Sequence, residues 1–237
     1  MIKAVIFDFG GTLDTDGVHW SAKFWKAYQV YVKSLSLQDF RKAYVYSENL
    51  MTHSIKSNDS FLATLNKQVE LQFQYLIGTN LSPEDNSGKL INEISYSCYS
   101  DVLNKIENAK IILTKLKADY QLSLVSNFYG NIETVLKELS IHHFFSSIID
   151  STVVNLRKPD PAIFELAVNS LGLKSKECVV VGDSYERDIE PSKKINCHTI
   201  WLKGESWCEP SNTSSADFAV KSLSEVPAVI KKIVLSN

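Results

Sequence analysis

The feature that most constrains the fold of this chain is a series of short apolar runs, each of which ends at polar residues. The first run, Ala4–Phe7, ends at Asp8 and is followed by Gly10 and Gly11. Because four apolar residues are too few for a buried helix, this run predicts a buried strand that ends in a sharp turn. A carboxylate at that point is costly to bury unless it has a partner or a chemical task.

Similar runs recur in the second half of the chain, where they alternate with helix-like sequence. They predict strands at residues 122–125, 147–150, 178–181, 199–202 and 218–220, and helices at residues 109–116, 132–139, 160–171 and 226–234. Strands that are apolar throughout and alternate with helices predict an α/β fold with a parallel sheet covered on both faces. Ligands of such sheets bind beyond the carboxyl ends of the strands.

Residues 18–103 have a different character, because strand-like runs disappear and apolar and aromatic residues fall at helical spacing. Trp20, Phe24, Tyr28 and Tyr31 are the first such set. The region predicts about four helices packed on one another, with aromatic side chains in their core rather than on a ligand surface. The predicted organisation is an α/β core domain of residues 1–15 and 106–237 and a smaller all-α domain of residues 16–105.

Composition excludes several classes of function. The chain has 237 residues and a net charge of −2 with no long basic run, which argues against nucleic acid or an anionic membrane as a partner. The cysteines are scattered, without a C-x-x-C pair, which argues against a zinc ribbon or a disulfide framework: Cys98, Cys178, Cys197 and Cys208. With no signal-like N-terminus and no apolar run of membrane-spanning length, these features favour a cytoplasmic protein.

Polar residues at the ends of three predicted strands can converge at one edge of the sheet, together with two further charged residues. The set comprises Asp8, Ser126, Asn127, Lys158, Asp183 and Asp188. Carboxylates brought close together repel one another unless a cation lies among them, and ligands that are all oxygen favour Mg²⁺. A lysine, a hydroxyl group and the amides of a glycine turn are suited to binding a phosphoryl group.

Four motifs resemble those of the haloacid dehalogenase-like hydrolase superfamily, in the same order. They are DFGGTL at residues 8–13, VSN at 125–127, RKPDP at 157–161 and GDSYERD at 182–188. The helical region between the first two motifs resembles the α-helical cap of one subclass. The resemblance implies a Rossmann-like, doubly wound core with sheet order 5-4-1-2-3 and a cap that closes over the site.

The resemblance also implies catalytic roles. Asp8 would be the nucleophile that forms an aspartyl-phosphate, and Mg²⁺ would be held by the Asp8 and Asp183 carboxylates and the Gly10 carbonyl. Asp188 would support the metal site or orient the lysine.

The phosphate would be bound by a second set of residues, namely Gly11, Ser126, Asn127 and Lys158. Of these, Ser126 and Lys158 are also expected to take part in catalysis. The expected function is therefore hydrolysis of a small phosphorylated molecule with Mg²⁺ as cofactor.

The chain departs from the family pattern at Gly10, where phosphatases of this family usually carry a second aspartate. That aspartate protonates the leaving oxygen and later activates water, and such a group is typically worth about 10²–10⁴-fold in rate. We therefore expect slow hydrolysis of substrates with poor leaving groups. Asp14, Asp16, His19 and Glu48 are the candidate substitutes.

Two alternatives remain open. One is a catalytically silent relative that binds a phosphorylated ligand or a protein. The other is a hydrolase of carbon–phosphorus bonds in phosphonoaldehydes, in which a lysine of the cap forms a Schiff base; Lys23, Lys26, Lys33 and Lys56 are available. A true dehalogenase is disfavoured because Asp183 and Asp188 would lack a counter-ion.

Overall fold

The chain forms a parallel sheet surrounded by helices in the computed structural model, which describes residues 1–81, 87–207 and 213–235. The strands are β1 Ala4–Phe7, β2 Gln121–Ser126, β3 Ser147–Asp150, β4 Cys178–Gly182, β5 His198–Leu202 and β6 Phe218–Val220. Their order is β3-β2-β1-β4-β5-β6, and all neighbouring pairs are parallel. This confirms the predicted fold class, and β6 extends the expected five-strand order beside β5.

The helices of the described residues are α1 Trp20–Tyr31, α2 Leu37–Ser54, α3 Phe61–Gly78, α4 Ser87–Lys117, α5 Ile132–Glu138, α6 Ser151–Val154, α7 Ala162–Ser170, α8 Glu190–Lys194 and α9 Val226–Leu235. Within those same residues, no helix is both long enough and apolar enough to cross a lipid bilayer. Cys98, Cys178 and Cys197 are buried free thiols, and Cys208 lies outside the described residues.

Strand β1 lies at the centre of the sheet, and its side chains supply both faces of the core. Ala4 and Ile6 pack into one apolar cluster with residues of α7, whereas Val5 and Phe7 pack into the other with residues of α4 and α9. All four are fully buried, as expected for a strand covered on both sides. The carboxyl end of β1 therefore lies between the carboxyl ends of β2 and β4, and Asp8 follows directly after it.

Helices α1–α4 pack mainly on one another, which agrees with the predicted group of about four helices. Their contact is rich in aromatic rings: Tyr28 stacks on Phe73 with ring centroids 5.7 Å apart and lies 5.0 Å from Phe40. Each of these three rings is buried. Most of the predicted aromatic core is therefore present, with exceptions that face the site described below.

Helix α4 differs from the sequence prediction, which placed a separate helix at residues 109–116. The structure has one helix from Ser87 to Lys117. It continues because no glycine or proline interrupts residues 103–108, and Ile106 and Ala109 extend the buried stripe begun by Val102. The predicted domain boundary at 105/106 thus falls inside a helix, and the division into two domains stays a prediction.

Candidate active site

The site is built on the turn that follows β1, where Asp8 is almost fully buried. The backbone N–H of Asp8 donates to the Val181 carbonyl at 3.0 Å, so β4 holds the end of β1 in place. Gly11 has a φ of +102°, and a Cβ atom there would overlap the Asp183 carboxylate. Glycine is therefore required at position 11 to let Asp183 approach Asp8.

Lys158 joins two of the acidic residues. Its Nζ lies 2.6 Å from Asp8 Oδ1 and 2.7 Å from Asp188 Oδ1, and it also donates to the Val125 carbonyl at 3.2 Å. Burial alone lowers the pKa of a lysine, but the carboxylates of Asp188 and Asp8 outweigh it and raise the pKa of Lys158. Lys158 is therefore a buried, positively charged side chain in contact with the predicted nucleophile, Asp8.

Three carboxylates share this small volume. Oxygen atoms of Asp8, Asp183 and Asp188 all lie within 4.8 Å of one another. Burial, followed by the charges of Asp8 and Asp188, raises the pKa of Asp183 well above its usual value. A single lysine against three carboxylates leaves an excess of negative charge, which a hard cation with oxygen ligands is suited to balance.

Thr12 is a member of the site that the sequence analysis did not select. Its hydroxyl donates to Asp8 Oδ2 at 3.1 Å or Asp183 Oδ1 at 3.3 Å, and it accepts from the Asp183 backbone N–H at 3.0 Å. The residue is fully buried. Its position in the DFGGTL motif could have indicated a role in the site, but the sequence does not show that its side chain points toward Asp8 and Asp183.

Thr12→Val is expected to lower the free energy of unfolding by about 1–3 kcal/mol, because valine keeps the shape but leaves the buried Asp183 N–H without an acceptor. Thr12→Ser retains the hydroxyl and is the matched control. Denaturant unfolding of both variants checks this. A loss of stability in Thr12→Ser without one in Thr12→Val would mean that the methyl group, and not the hydroxyl, matters.

The predicted phosphate-binding residues are placed in different ways. Ser126 and Asn127 line a cavity with Asp8 and Lys158. The Asn127 side chain, however, bonds the Lys158 backbone in both directions, at 2.9 and 3.0 Å, so its carbonyl oxygen and one of its two side-chain N–H groups already position Lys158. The backbone N–H of Gly11 donates to Asp14 at 2.8 Å. The role that the structure shows for Gly11 is to leave space for Asp183, and phosphate binding by Gly11 stays a prediction.

The cavity has a volume of about 90 Å³ and lies between the carboxyl edge of the sheet and helices α1–α3. A water needs about 10–15 Å³ on this measure, so the cavity holds on the order of six waters. The sheet side is lined by the acidic cluster, Ser126 and Lys158. The helical side is lined by His19, Trp20, Tyr44, Glu48, Phe61, Thr64, Leu65 and Gln68. The aromatic residues of the helices are thus not all core.

The space beside Gly10 is bordered by Trp20. A Cβ atom built on Gly10 would lie 3.5–3.6 Å from the Trp20 ring, which is ordinary contact, and no other atom would lie within 4 Å. The Trp20 indole N–H donates to Asp14 Oδ2 at 2.8 Å. Among the described residues, therefore, no acidic side chain occupies the position that the family's second aspartate would fill.

Two of the four candidates to replace the missing acid and base form hydrogen bonds outside the cavity. Asp14 receives hydrogen bonds from Gly11 and Trp20, and burial raises its pKa to about 7, but it does not line the cavity. Asp16 accepts a hydrogen bond from the Leu223 backbone N–H at 2.8 Å and so holds the short helical turn Leu223–Glu225 that precedes α9. His19 and Glu48 do line the cavity.

None of the four lysines considered for a Schiff base lines this cavity. Lys23 forms an ion pair with Asp101, and Lys26 forms one with Glu205. Lys33 and Lys56 are exposed. Among the described residues that line the cavity, Lys158 is the only lysine. This arrangement does not favour the carbon–phosphorus hydrolase alternative.

Comparison with protein-family models matches residues 5–202 to the family described as haloacid dehalogenase-like hydrolase. The chain is 31% identical over 98 residues to the glyceraldehyde 3-phosphate phosphatase of Methanocaldococcus jannaschii, which is 41% of this chain and 43% of that protein. It is 27% identical over 131 residues to the human N-acylneuraminate-9-phosphatase, 54% of this chain and 52% of that protein. The chain thus spans about half the length of the curated relatives it matches.

Among solved structures, a dehalogenase with an intermediate complex superposes with a TM-score of 0.64, over 96% of this chain and 96% of that chain. The two sequences are 18% identical, so the likeness establishes the fold alone. Function has to be argued from the site.

Proposed function

The chain belongs to the haloacid dehalogenase-like hydrolase family, and we propose that it is a Mg²⁺-dependent phosphatase of a small phosphorylated metabolite. The single observation on which this rests is the position of the Asp8 carboxylate. It faces a cavity, one of its oxygens lies 2.6 Å from the Lys158 ammonium, and two further carboxylates lie beside it.

Asp8 acts as the nucleophile. An Asp8 oxygen attacks the phosphorus of the substrate and forms an aspartyl-phosphate, which water then hydrolyses. Lys158 offsets the charge of the nucleophile and of the incoming phosphate, and Thr12 fixes the orientation of the carboxylate. The Ser126 hydroxyl and the Asn127 backbone N–H, both at the cavity wall, are the donors for the phosphoryl oxygens.

The residues present fit a magnesium ion. The cluster consists of carboxylate oxygens, which are the donors that Mg²⁺ prefers, and its net charge calls for a cation. Asp8 and Asp183 would hold the ion together with the Gly10 carbonyl, and Asp188 would support it by fixing Lys158. A bound Mg²⁺ supplies charge stabilisation at the transferring phosphoryl group.

Two observations support a small phosphorylated substrate. The cavity places the Asp8 carboxylate beside Lys158 and Ser126, a cation and a hydroxyl group that are suited to a phosphoryl group. Two relatives are named as phosphatases, of glyceraldehyde 3-phosphate and of N-acylneuraminate 9-phosphate, although each matches over about half of its length. The alternative is a silent relative that binds such a ligand without hydrolysing it, and it is favoured because no acidic side chain of the described residues lies beside Gly10.

Turnover of p-nitrophenyl phosphate decides between these functions. We expect release of p-nitrophenol with Mg²⁺, loss of that release with excess EDTA, and recovery when Mg²⁺ is added back. This substrate is chosen because its leaving group departs without a proton, so the Gly10 position does not limit the rate. Absence of turnover with Mg²⁺ would contradict the proposed phosphatase, and turnover that EDTA leaves unchanged would contradict the metal site.

A further inference from the structure

Glu48 is a carboxyl group on α2 that faces the same cavity as Asp8 and Gly10. Its Oε1 accepts a hydrogen bond from the Tyr129 hydroxyl at 2.9 Å and another from the Gln68 side-chain amide. Both bonds go to Oε1, and the Tyr44 hydroxyl is a further hydrogen-bonding neighbour of this carboxyl group. Three elements, namely α2, α3 and the loop after β2, thus fix this one carboxyl group at the cavity wall.

Four charged or titratable groups surround Glu48. They are Tyr44 on the same helix, Tyr129 after β2, Arg157 after α6 and Arg187 after β4. Burial raises the pKa of Glu48, and the Tyr129 hydrogen bond and the two arginines lower it by less. Glu48 therefore keeps its proton to a higher pH than an exposed glutamate does.

His19, the other candidate that lines the cavity, is not suited to giving up a proton. Burial and the charge of Arg187 lower its pKa to about 4, so the ring is neutral at neutral pH. Its Nδ1 accepts the Ser21 backbone N–H at 3.2 Å, which places the single ring proton on Nε2. A neutral imidazole is a hydrogen-bond donor there, but not a general acid.

We propose that Glu48 is the general acid and base of this site and replaces the carboxyl group that the family usually carries at position 10. The proposal rests on the phosphatase function proposed above. Asp8 and Glu48 line the same cavity, Asp8 on the side of the sheet and Glu48 on the side of the helices, so a phosphoryl group bound on Asp8 lies in the space that Glu48 faces.

The chemistry balances as follows. In the first step an Asp8 oxygen forms a bond to phosphorus, the bond from phosphorus to the leaving oxygen breaks, and Glu48 gives its proton to that oxygen, releasing an alcohol. In the second step Glu48, now a carboxylate, takes a proton from water as the water oxygen bonds to phosphorus. The bond to Asp8 breaks, inorganic phosphate leaves, and both carboxyl groups return to their starting states.

The test compares two substrates in Glu48→Gln, which keeps the shape and the hydrogen-bond acceptor but cannot transfer a proton. We expect kcat/KM for an alkyl phosphate, glycerol phosphate, to fall by about 10²-fold or more. The loss for p-nitrophenyl phosphate should be much smaller, since its leaving group needs no proton. Glu70→Gln, a change at a partly exposed residue of α3 that does not line the cavity, is the matched control and should lower neither.

The pH profile supplies a readout that a structural role would not move. In the wild type, kcat/KM for the alkyl phosphate should fall as pH rises through the pKa of Glu48, because the acid form is required. That alkaline fall should be absent from Glu48→Gln. Glu48→Asp, which keeps a carboxyl group, should retain part of the activity and the fall with pH.

The outcomes separate the two proposals. If Glu48→Gln slows both substrates equally, or neither, Glu48 does not donate the proton, while the phosphatase function stands on wild-type turnover. If the wild type hydrolyses neither substrate with Mg²⁺, both proposals are overturned. If Glu48→Gln fails to fold, Glu48→Asp and the pH profile of the wild type decide, and an alkyl phosphate rate that does not fall at high pH overturns the inference.

Discussion

Gly10→Asp is expected to raise kcat/KM for alkyl phosphates by about 10²–10⁴-fold in a chain that also carries Glu48→Gln, and by much less in the wild type. The reason is that the aspartate restores a proton donor beside the nucleophile, where Glu48→Gln leaves none. In the wild type Glu48 already donates this proton, so a second proton donor raises the rate by less. The two changes are therefore expected to be strongly non-additive.

The structure accommodates this substitution. Gly10 has a φ of −76°, which any residue adopts, and its Cβ would meet the Trp20 ring at 3.5 Å, an ordinary contact distance. Gly11 is the contrast, because its φ is positive and a Cβ there would overlap Asp183. Gly10→Ala should fold like the wild type, whereas Gly11→Ala should be destabilised and inactive.

Steady-state kinetics with glycerol phosphate check the prediction in both backgrounds, with Gly10→Asn as the matched control. Asparagine has the size of aspartate but has no proton to give, so it should bring no gain. A gain of equal size with Gly10→Asn would mean that shape, rather than acid catalysis, limits the rate. An equal gain with Gly10→Asp in both backgrounds would mean that Glu48 contributes nothing.

Much of the fold could be predicted from sequence because the sheet is covered on both faces. Runs such as Ala4–Phe7 and Cys178–Val181 have no polar position and are too short for helices, so they have few alternatives to buried parallel strands. Helix α4 was divided wrongly, because the polar residues before Ala109 resemble a loop when only the sequence is read. In the structure they are the exposed face of a continuous helix.

The acidic cluster could also be predicted, because the carboxyl ends of β1 and β4 meet at one edge of a parallel sheet. Asp8 and Asp183 follow those strands, and local sequence is enough to place them. Lys158 reaches the cluster from a loop; the sequence analysis included it because its segment lies between two of the strand ends, and the motif resemblance gave it a role.

The rest of the site depends on tertiary packing, which the sequence does not display. Trp20 has the spacing of a core residue, yet one edge of it borders Gly10. Glu48 was one of four polar candidates with equal standing; only the packing of α2 over the sheet separates it from Asp14, which turns away from the cavity. Side-chain direction at such positions follows from contacts between distant elements.

Asp8→Asn is expected to abolish turnover, with a loss of kcat on the order of 10⁴–10⁶-fold, because an amide oxygen is not a nucleophile toward phosphorus. The fold should survive. Lys158 keeps Asp188 at 2.7 Å, and removing one of three crowded carboxylates relieves repulsion, so the melting temperature should be equal to or higher than that of the wild type. A variant that loses activity together with its fold would not support the assigned role.

The most direct measurement is the capture of a phosphoryl group on Asp8. The wild type is mixed with a phosphorylated substrate and Mg²⁺, and the reaction is stopped with acid within one turnover. The protein is then digested, and the mass of the peptide that contains Asp8 is measured by mass spectrometry. We expect a phosphoryl adduct on Asp8 that hydroxylamine removes, and no adduct in Asp8→Asn. Release of phosphate without any adduct on that residue, or an adduct that persists in Asp8→Asn, would contradict the account.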